Sequence, residues 1–277
     1  MLKPKLQTSR RFRPENRKTS ICPRIPGAPR ARRHGDATIY FGDCNKRLRL
    51  VPDHSVALIL VDPPFGITRC GWDTPLDMDQ IWLEVNRVLK PGGTVIIFGL
   101  GRFSASIIRS NPKLFRYKLI WEKTQPVGGL NHKLQPMRAH EDMMVFSQEE
   151  PTFHPEAVSR YPEAVGGAAS AGKAFLPSLL LFKKDSQTCS LHSTQKPRLL
   201  LQLLIEVFSN VGDTVLDFTM GSASTGVAAL LTGRVFIGIE MLPRYFFIAS
   251  ERLRYVVKYG SEIPREFAKS LKARKWS

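Results

Sequence analysis

The chain has 277 residues, of which 43% are hydrophobic, and its 41 Lys and Arg against 24 Asp and Glu leave a formal charge of +17. This is ample for one large α/β domain with insertions or a domain plus a small subdomain, and the charge makes a polyanion the default partner. The four cysteines, Cys22, Cys44, Cys70 and Cys189, form no CxxC pair, which argues against a zinc site and a disulfide framework; no apolar run approaches the roughly 18 residues of a membrane span, and the start lacks an apolar secretion segment. Residues 1–35 are rich in Lys and Arg and interrupted by Pro4, Pro14, Pro23, Pro26 and Pro29, so they read as a disordered basic arm rather than an amphipathic helix.

Composition turns globular after Arg33. Strands are predicted at Thr38 to Phe41, ending in Gly42-Asp43-Cys44, and at Val56 to Val61. A helix is predicted from about Leu76 to Leu89, with Ile81, Trp82, Val85, Val88 and Leu89 on one face and a stop at Lys90-Pro91-Gly92-Gly93. Further strands fall at Thr94 to Phe98, Leu119 to Lys123 and Met143 to Phe146; the polar segment from Gly128 to Arg138 reads as a loop over the site. Residues 148–193 are Pro- and Gly-rich with little periodicity, a loop-rich insertion in which Leu179 to Phe182 can still pack on the domain. Order returns at Pro197, placed for a first helical position, followed by Leu199, Leu200, Leu203, Leu204, Val207 and Phe208 on a helical face. A strand at Thr214 to Asp217, a helix to Leu231, a strand at Val235 to Glu240 and a helix from Pro243 to about Val257 complete an alternation that implies a doubly wound parallel sheet.

The sharpest motif is Asp62-Pro63-Pro64-Phe65. A buried parallel strand would place Asp62 at its carboxyl end, where open α/β sheets keep their chemistry, and two prolines leave carbonyl acceptors without donors. An exocyclic amine delocalised into a base ring is a poor nucleophile. The Asp62 carboxylate and Pro63 carbonyl could hold its protons and favour a pyramidal nitrogen while Phe65 stacks on the ring. The plainer reading is a strand-ending turn.

A second constellation combines Asp217, the small-residue turn Gly221 to Thr225, and Glu240 at the end of the next strand. Such a turn lets a ligand approach a helix N-terminus, and the carboxylate can accept both hydroxyls of a ribose. Any adenosine-containing cofactor fits, NAD included. The absence of GxGxxG and the presence of an amine-acceptor motif favour S-adenosylmethionine.

Together these residues resemble the DNA methyltransferases that modify exocyclic amines, in the circularly permuted order where the catalytic motif precedes the cofactor motif. The resemblance runs from about Ile39 to Leu253 and includes Trp72-Asp73, Arg87 to Gly93, Trp121-Glu122-Lys123, His140-Glu141-Asp142, Pro151-Thr152-Phe153 and Thr194-Gln195-Lys196-Pro197. Its pattern is similar to phage and prophage adenine-specific members with a short segment in place of a recognition domain. The resemblance implies a Rossmann-like, S-adenosylmethionine-dependent α/β fold with a mostly parallel sheet. It makes Asp62, Pro63, Pro64 and Phe65 catalytic. It places Asp43 and Cys44 at the cofactor's adenine, Asp217, Thr219, Gly221, Ser222, Ala223, Ser224 and Thr225 at its methionine part, Glu240 at its ribose and Lys196 near its carboxylate, with Met241 a further cofactor contact. Asn131, Lys133 and Arg138 are the candidate DNA contacts, although charged loops are often only solvated; Trp72 reads equally as packing, and His140 as structural rather than a base. Two departures stand out: Ala223 where members usually have Gly, and Phe65 where most adenine enzymes have Tyr.

The expected protein is therefore an adenine-N6 DNA methyltransferase acting on duplex DNA by base flipping, without a metal, in the cytoplasm of a bacterial or phage-infected cell. Cytosine-N4 methylation is the nearest alternative, an impaired nucleic-acid-binding protein another, and a homodimer stays open. The expected layout is an arm at 1–35, a catalytic domain at 36–260 with DNA-recognition loops within about 124–193, and a basic tail at 261–277.

Overall fold

The computed structural model describes residues 31–66, 76–129, 133–165, 175–185, 191 and 194–274. Its strands are β1 (Ala31–His34), β2 (Ala37–Phe41), β3 (Val56–Val61), β4 (Leu89–Gly99), β5 (Phe115–Val127), β6 (Arg138–Ser147), β7 (Leu179–Phe182), β8 (Thr214–Asp217) and β9 (Val235–Glu240). They pair in one sheet of order β1-β2-β9-β8-β3-β4-β6-β5-β7. The run from β2 through β9, β8 and β3 to β4 is parallel, whereas β1 and β6 pair antiparallel with their neighbours. The helices are α1 (Cys44–Arg47), α2 (Met78–Val88), α3 (Arg102–Ser110), α4 (Arg198–Phe208), α5 (Ser224–Leu231), α6 (Pro243–Tyr259) and α7 (Arg265–Ala273).

Every residue of β3 is buried, as expected of a central parallel strand covered on both faces. Its alternating side chains feed two cores. Leu58 and Leu60 pack with α4, α5 and α6, and Ile59 and Val61 pack with α2 and α3. Each such Leu, Ile or Val side chain contributes roughly 1.5–3 kcal/mol by leaving water. Gly226 on α5 brings that helix close to the sheet: a Cβ there would lie 2.6 Å from Phe236 and 2.9 Å from Leu253. Because β4 joins one side of β3 and β8 the other, the strand order reverses between β3 and β8. Ligands of open α/β sheets bind at such a reversal, beyond the carboxyl ends of the strands. Asp62, Asp217 and Glu240 all stand at those ends.

The structure differs from the sequence-based elements in several places. Ala31–His34, expected in the arm, pairs with β2; Arg32 donates to Ser250 Oγ (2.9 Å) and its guanidinium lies 4.8 Å from the Phe247 ring centre, so side-chain contacts order a stretch with no apolar run. The expected tail contains α7, whose Ala268 and Leu271 pack against Ile248 and Ile263. The helix stops before Lys90 as expected, but the next strand starts earlier than expected, and Lys90 to Gly93 are absorbed into β4 as a bulge opposite β3. Within the expected insertion, Leu179–Phe182 is an edge strand parallel to β5. Arg138, expected in a loop, opens β6. Among the described residues, no helix is long and apolar enough to cross a membrane.

Candidate active site

The parallel pairing of β3 with β4 carries Asp62 to the sheet's carboxyl edge, and Phe65 turns onto Phe103 of α3, with ring centres 4.7 Å apart and planes at 29°. The segment before α4 delivers Lys196, whose ammonium binds Asp62 Oδ2 and lies 5.0 Å from the Phe98 ring centre. Glu141 of β6 faces the same ammonium at 3.2 Å and pairs with Lys123 of β5 at 2.7 Å. The chain of charge therefore runs Asp62, Lys196, Glu141, Lys123. Burial would push the Lys196 ammonium down, but the Asp62 and Glu141 carboxylates outweigh it and hold the group above the ordinary lysine range. Burial likewise works to raise Glu141, and the Lys196 and Lys123 ammoniums hold it below the usual carboxylate range. At Asp62 burial prevails over the pull of Lys196, and the carboxyl lies above its usual value.

The second group is assembled from β8, β9, β2 and the turn before α5. Asp217 Oδ1 accepts the Thr219 N–H at 3.0 Å. Glu240 accepts the Gly221 N–H on Oε2 (2.9 Å) and the Leu242 N–H on Oε1 (2.7 Å), while the Gly42 N–H donates to the Glu240 carbonyl at 2.9 Å and brings Asp43 and Cys44 alongside. Asp43 caps α1 by accepting the Asn45 N–H at 3.0 Å. Burial pushes both carboxyls up to about 7, against hydrogen bonds from Thr225 and Thr219 at Asp217 and from Leu242 and Gly221 at Glu240. Burial, aided by Asp43, pushes the Cys44 thiol up to about 12, which keeps it protonated and inert. Beyond its backbone donors, the Met241 N–H among them, the Glu240 carboxylate retains lone-pair capacity, so the residues fit the ribose diol of an adenosine cofactor.

The structure brings Asp62, Phe65, Asp217, Glu240 and the 221–225 turn to one edge of the sheet. Lys196, expected near the cofactor's carboxylate, has its ammonium in contact with Asp62 and Glu141. Its neighbour Gln195 does reach the turn, accepting from Ser222 Oγ at 3.3 Å. Lys133 and Arg138 are exposed; Asn131, Trp72 and Asp73 lie outside the described residues. His140 is exposed on β6 opposite Glu122 rather than buried in a structural role. Three contributors had no assigned role in the sequence: the Glu141–Lys123 pair, Phe103, and Arg252, which donates to Ser222 O (3.1 Å) and Ser224 Oγ (3.0 Å) while pairing with Glu262. Lys123 and Glu141 were visible in ordered motifs, but no local pattern joined them to Asp62.

Ala223 is in the left-handed region, at φ 61° and ψ 42°. An L-residue pays roughly 1–2 kcal/mol there, which glycine avoids. Glycine's freer unfolded chain offsets part of this, so Ala223→Gly should stabilise the protein by about 0.5–1 kcal/mol. Urea denaturation with an unchanged or lowered midpoint would contradict this account of the strain.

A family model described as DNA methylase, for N6 and N4 methyltransferases, matches residues 56–251. The chain is 30% identical over 255 residues to DNA adenine methyltransferase YhdJ of Escherichia coli, covering 81% of this chain and 85% of that one. Among solved structures it is similar in fold to the PvuII cytosine-N4-specific DNA methyltransferase, with TM-score 0.63, 21% identity, and 87% and 93% of the two chains covered. It is similar too to M1.HpyAVI in complex with SAM, with TM-score 0.60, 24% identity, and 78% and 98% covered.

Proposed function

Since this chain belongs to the N6/N4 DNA methylase family, we propose that it methylates the N6 amine of adenine in a short duplex site, with the Asp62 carboxylate and Pro63 carbonyl holding that amine. The observation that carries this reading is the placement of Asp62 at the end of β3 beside Phe65, on the same sheet edge as Asp217 and Glu240. Asp rather than Ser before Pro-Pro favours adenine over cytosine, and the adenine activity named for YhdJ agrees with it.

S-adenosylmethionine held by Asp217, the 221–225 turn and Glu240 supplies an electrophilic methyl group. The chain does the remaining work. A base inside a duplex must first be flipped out, which costs about a few kcal/mol. Phe65 offsets that cost by stacking, and Phe103 behind it fixes the ring. Asp62 and the Pro63 carbonyl accept hydrogen bonds from the two amine N–H groups, which draws the nitrogen lone pair out of conjugation, and Asp62 is placed to take the one proton the nitrogen loses after it gains the methyl group. Lys133 and Arg138, both exposed, are candidate contacts to the DNA.

Nucleoside analysis of a plasmid expressed with this protein, combined with sequencing of the modified bases, tests the assignment. N6-methyladenine at one recurring site is expected; N4-methylcytosine in its place would overturn it.

A further inference from the structure

Lys196 occupies the atom that the proposed reaction needs. Its ammonium binds Asp62 Oδ2 and so competes with a target amine for that oxygen. The Lys196 side chain is only 7% exposed, and a buried ammonium stripped of its partner is strongly destabilised. Asp62 is freed for the amine to the extent that another carboxylate within reach holds the charge. Glu141 is that carboxylate: its Oε2 lies 3.2 Å from Lys196 Nζ, a longer contact than the one Lys196 makes with Asp62 Oδ2. An acceptor already in contact, but at longer range than Asp62, can take a larger share of the ammonium. Its other oxygen is fixed by Lys123 at 2.7 Å, so the carboxylate is held in place for the exchange.

We propose that Glu141, anchored by Lys123, is a positioning residue for methyl transfer: it takes the Lys196 ammonium from Asp62 as the target amine enters and returns it when the product leaves. The inference rests on the reading of Asp62 as the amine's acceptor. No covalent bond changes in this step; one hydrogen bond of Lys196 moves between two carboxylates. The charged groups facing the pair are Asp62 from the end of β3, Lys123 from β5, Glu141 from β6, Lys184 after β7 and Asp217 from β8. Glu141 is among the groups that raise Asp62, so its charge also bears on the pH at which Asp62 ionises.

The test uses the full-length chain, plasmid DNA from an unmethylated host and S-adenosylmethionine, reading the single-turnover transfer rate across pH and the cofactor dissociation constant by calorimetry. Glu141→Gln keeps an acceptor oxygen but loses the charge that draws Lys196 from Asp62, so the rate should fall about tenfold or more while cofactor affinity stays within about twofold. Loss of the neighbouring negative charge should also move the acid limb of the rate profile to lower pH. Glu141→Asp, which keeps the charge, should leave the limb in place and recover part of the rate. A Gln variant with the wild-type rate and limb overturns the proposal, as do equal losses in both variants with unmoved limbs, which would mark a packing role. Should the Gln variant fail to fold because Lys123 is left unpaired, the double variant Lys123→Met, Glu141→Gln removes both charges and is read by the rate alone, because the loss of Lys123 opposes the shift of the limb: a wild-type rate overturns the proposal. Asp62→Ala run alongside separates the two failures: activity retained there sinks the reading of Asp62, whereas loss there beside an unaffected Glu141→Gln sinks the role of Glu141 alone.

Discussion

Asp62→Ala is expected to lower methyl transfer by about a thousandfold or more, within the range by which positioned proton acceptors accelerate reactions, while DNA and cofactor affinities change little. The carboxylate has no hydrogen bond to the 221–225 turn among its described contacts. Lys196 keeps Glu141 as a partner at 3.2 Å when Asp62 is removed, so the fold should survive. Asp62→Asn makes the reading sharper. The amide retains one acceptor oxygen but neither the charge nor the capacity to take a proton, and its rate should fall between alanine and wild type. Quench-flow transfer assays within about tenfold of wild type for the alanine variant would remove Asp62 from the mechanism.

The second large effect is expected at Glu240. Two charge-assisted hydrogen bonds to ribose hydroxyls, at roughly 1.5–3 kcal/mol each, imply that Glu240→Ala weakens S-adenosylmethionine binding by at least about a hundredfold. The same carboxyl predicts a pH dependence. Asp217 and Glu240 are pushed up to about 7 by burial, whereas the unfolded chain titrates them near 4. Between those values the folded, cofactor-free protein binds the extra protons. These groups therefore favour the fold at low pH and lose that contribution as pH rises toward 7. Ligand hydroxyls need the ionised carboxylate, so cofactor affinity should move the opposite way, weakening by up to about tenfold per pH unit below 7 for a single controlling group. Calorimetry from pH 5 to 8 would show this, and Glu240→Gln should flatten the trend. A pH-independent dissociation constant in the wild-type protein would count against Glu240 as the ribose acceptor.

How much could be read from the sequence depended on whether the relevant contacts were local. The bounds of β3, β8 and β9 match their expected ranges because a parallel strand covered on both faces is a continuous apolar run bounded by turn residues. The residues at their ends, Asp62, Asp217 and Glu240, were legible for the same reason. By contrast, β1 is ordered by Arg32 reaching Ser250, 218 positions away, and β7 by pairing across a Pro- and Gly-rich stretch. The exposed face of α3 hid the helix, although its Phe103 supports Phe65. Charge pairing was the least legible property. Lys196 and Asp62 are 134 positions apart, and nothing in the neighbourhood of either residue announces the other.

That separation also bears on how the molecule comes together. The buried ion chain draws one member each from the end of β3, from β5, from β6 and from the approach to α4, so the catalytic half of the polypeptide and the cofactor half each carry charges that only the other can neutralise. Neither half can close on its own without stranding an ion out of water, at a cost of about 3–5 kcal/mol for a broken buried pair. A partly folded intermediate therefore gains no working pocket. The active centre should appear in one cooperative step with the sheet itself, and catalytic competence should report completion of the whole fold.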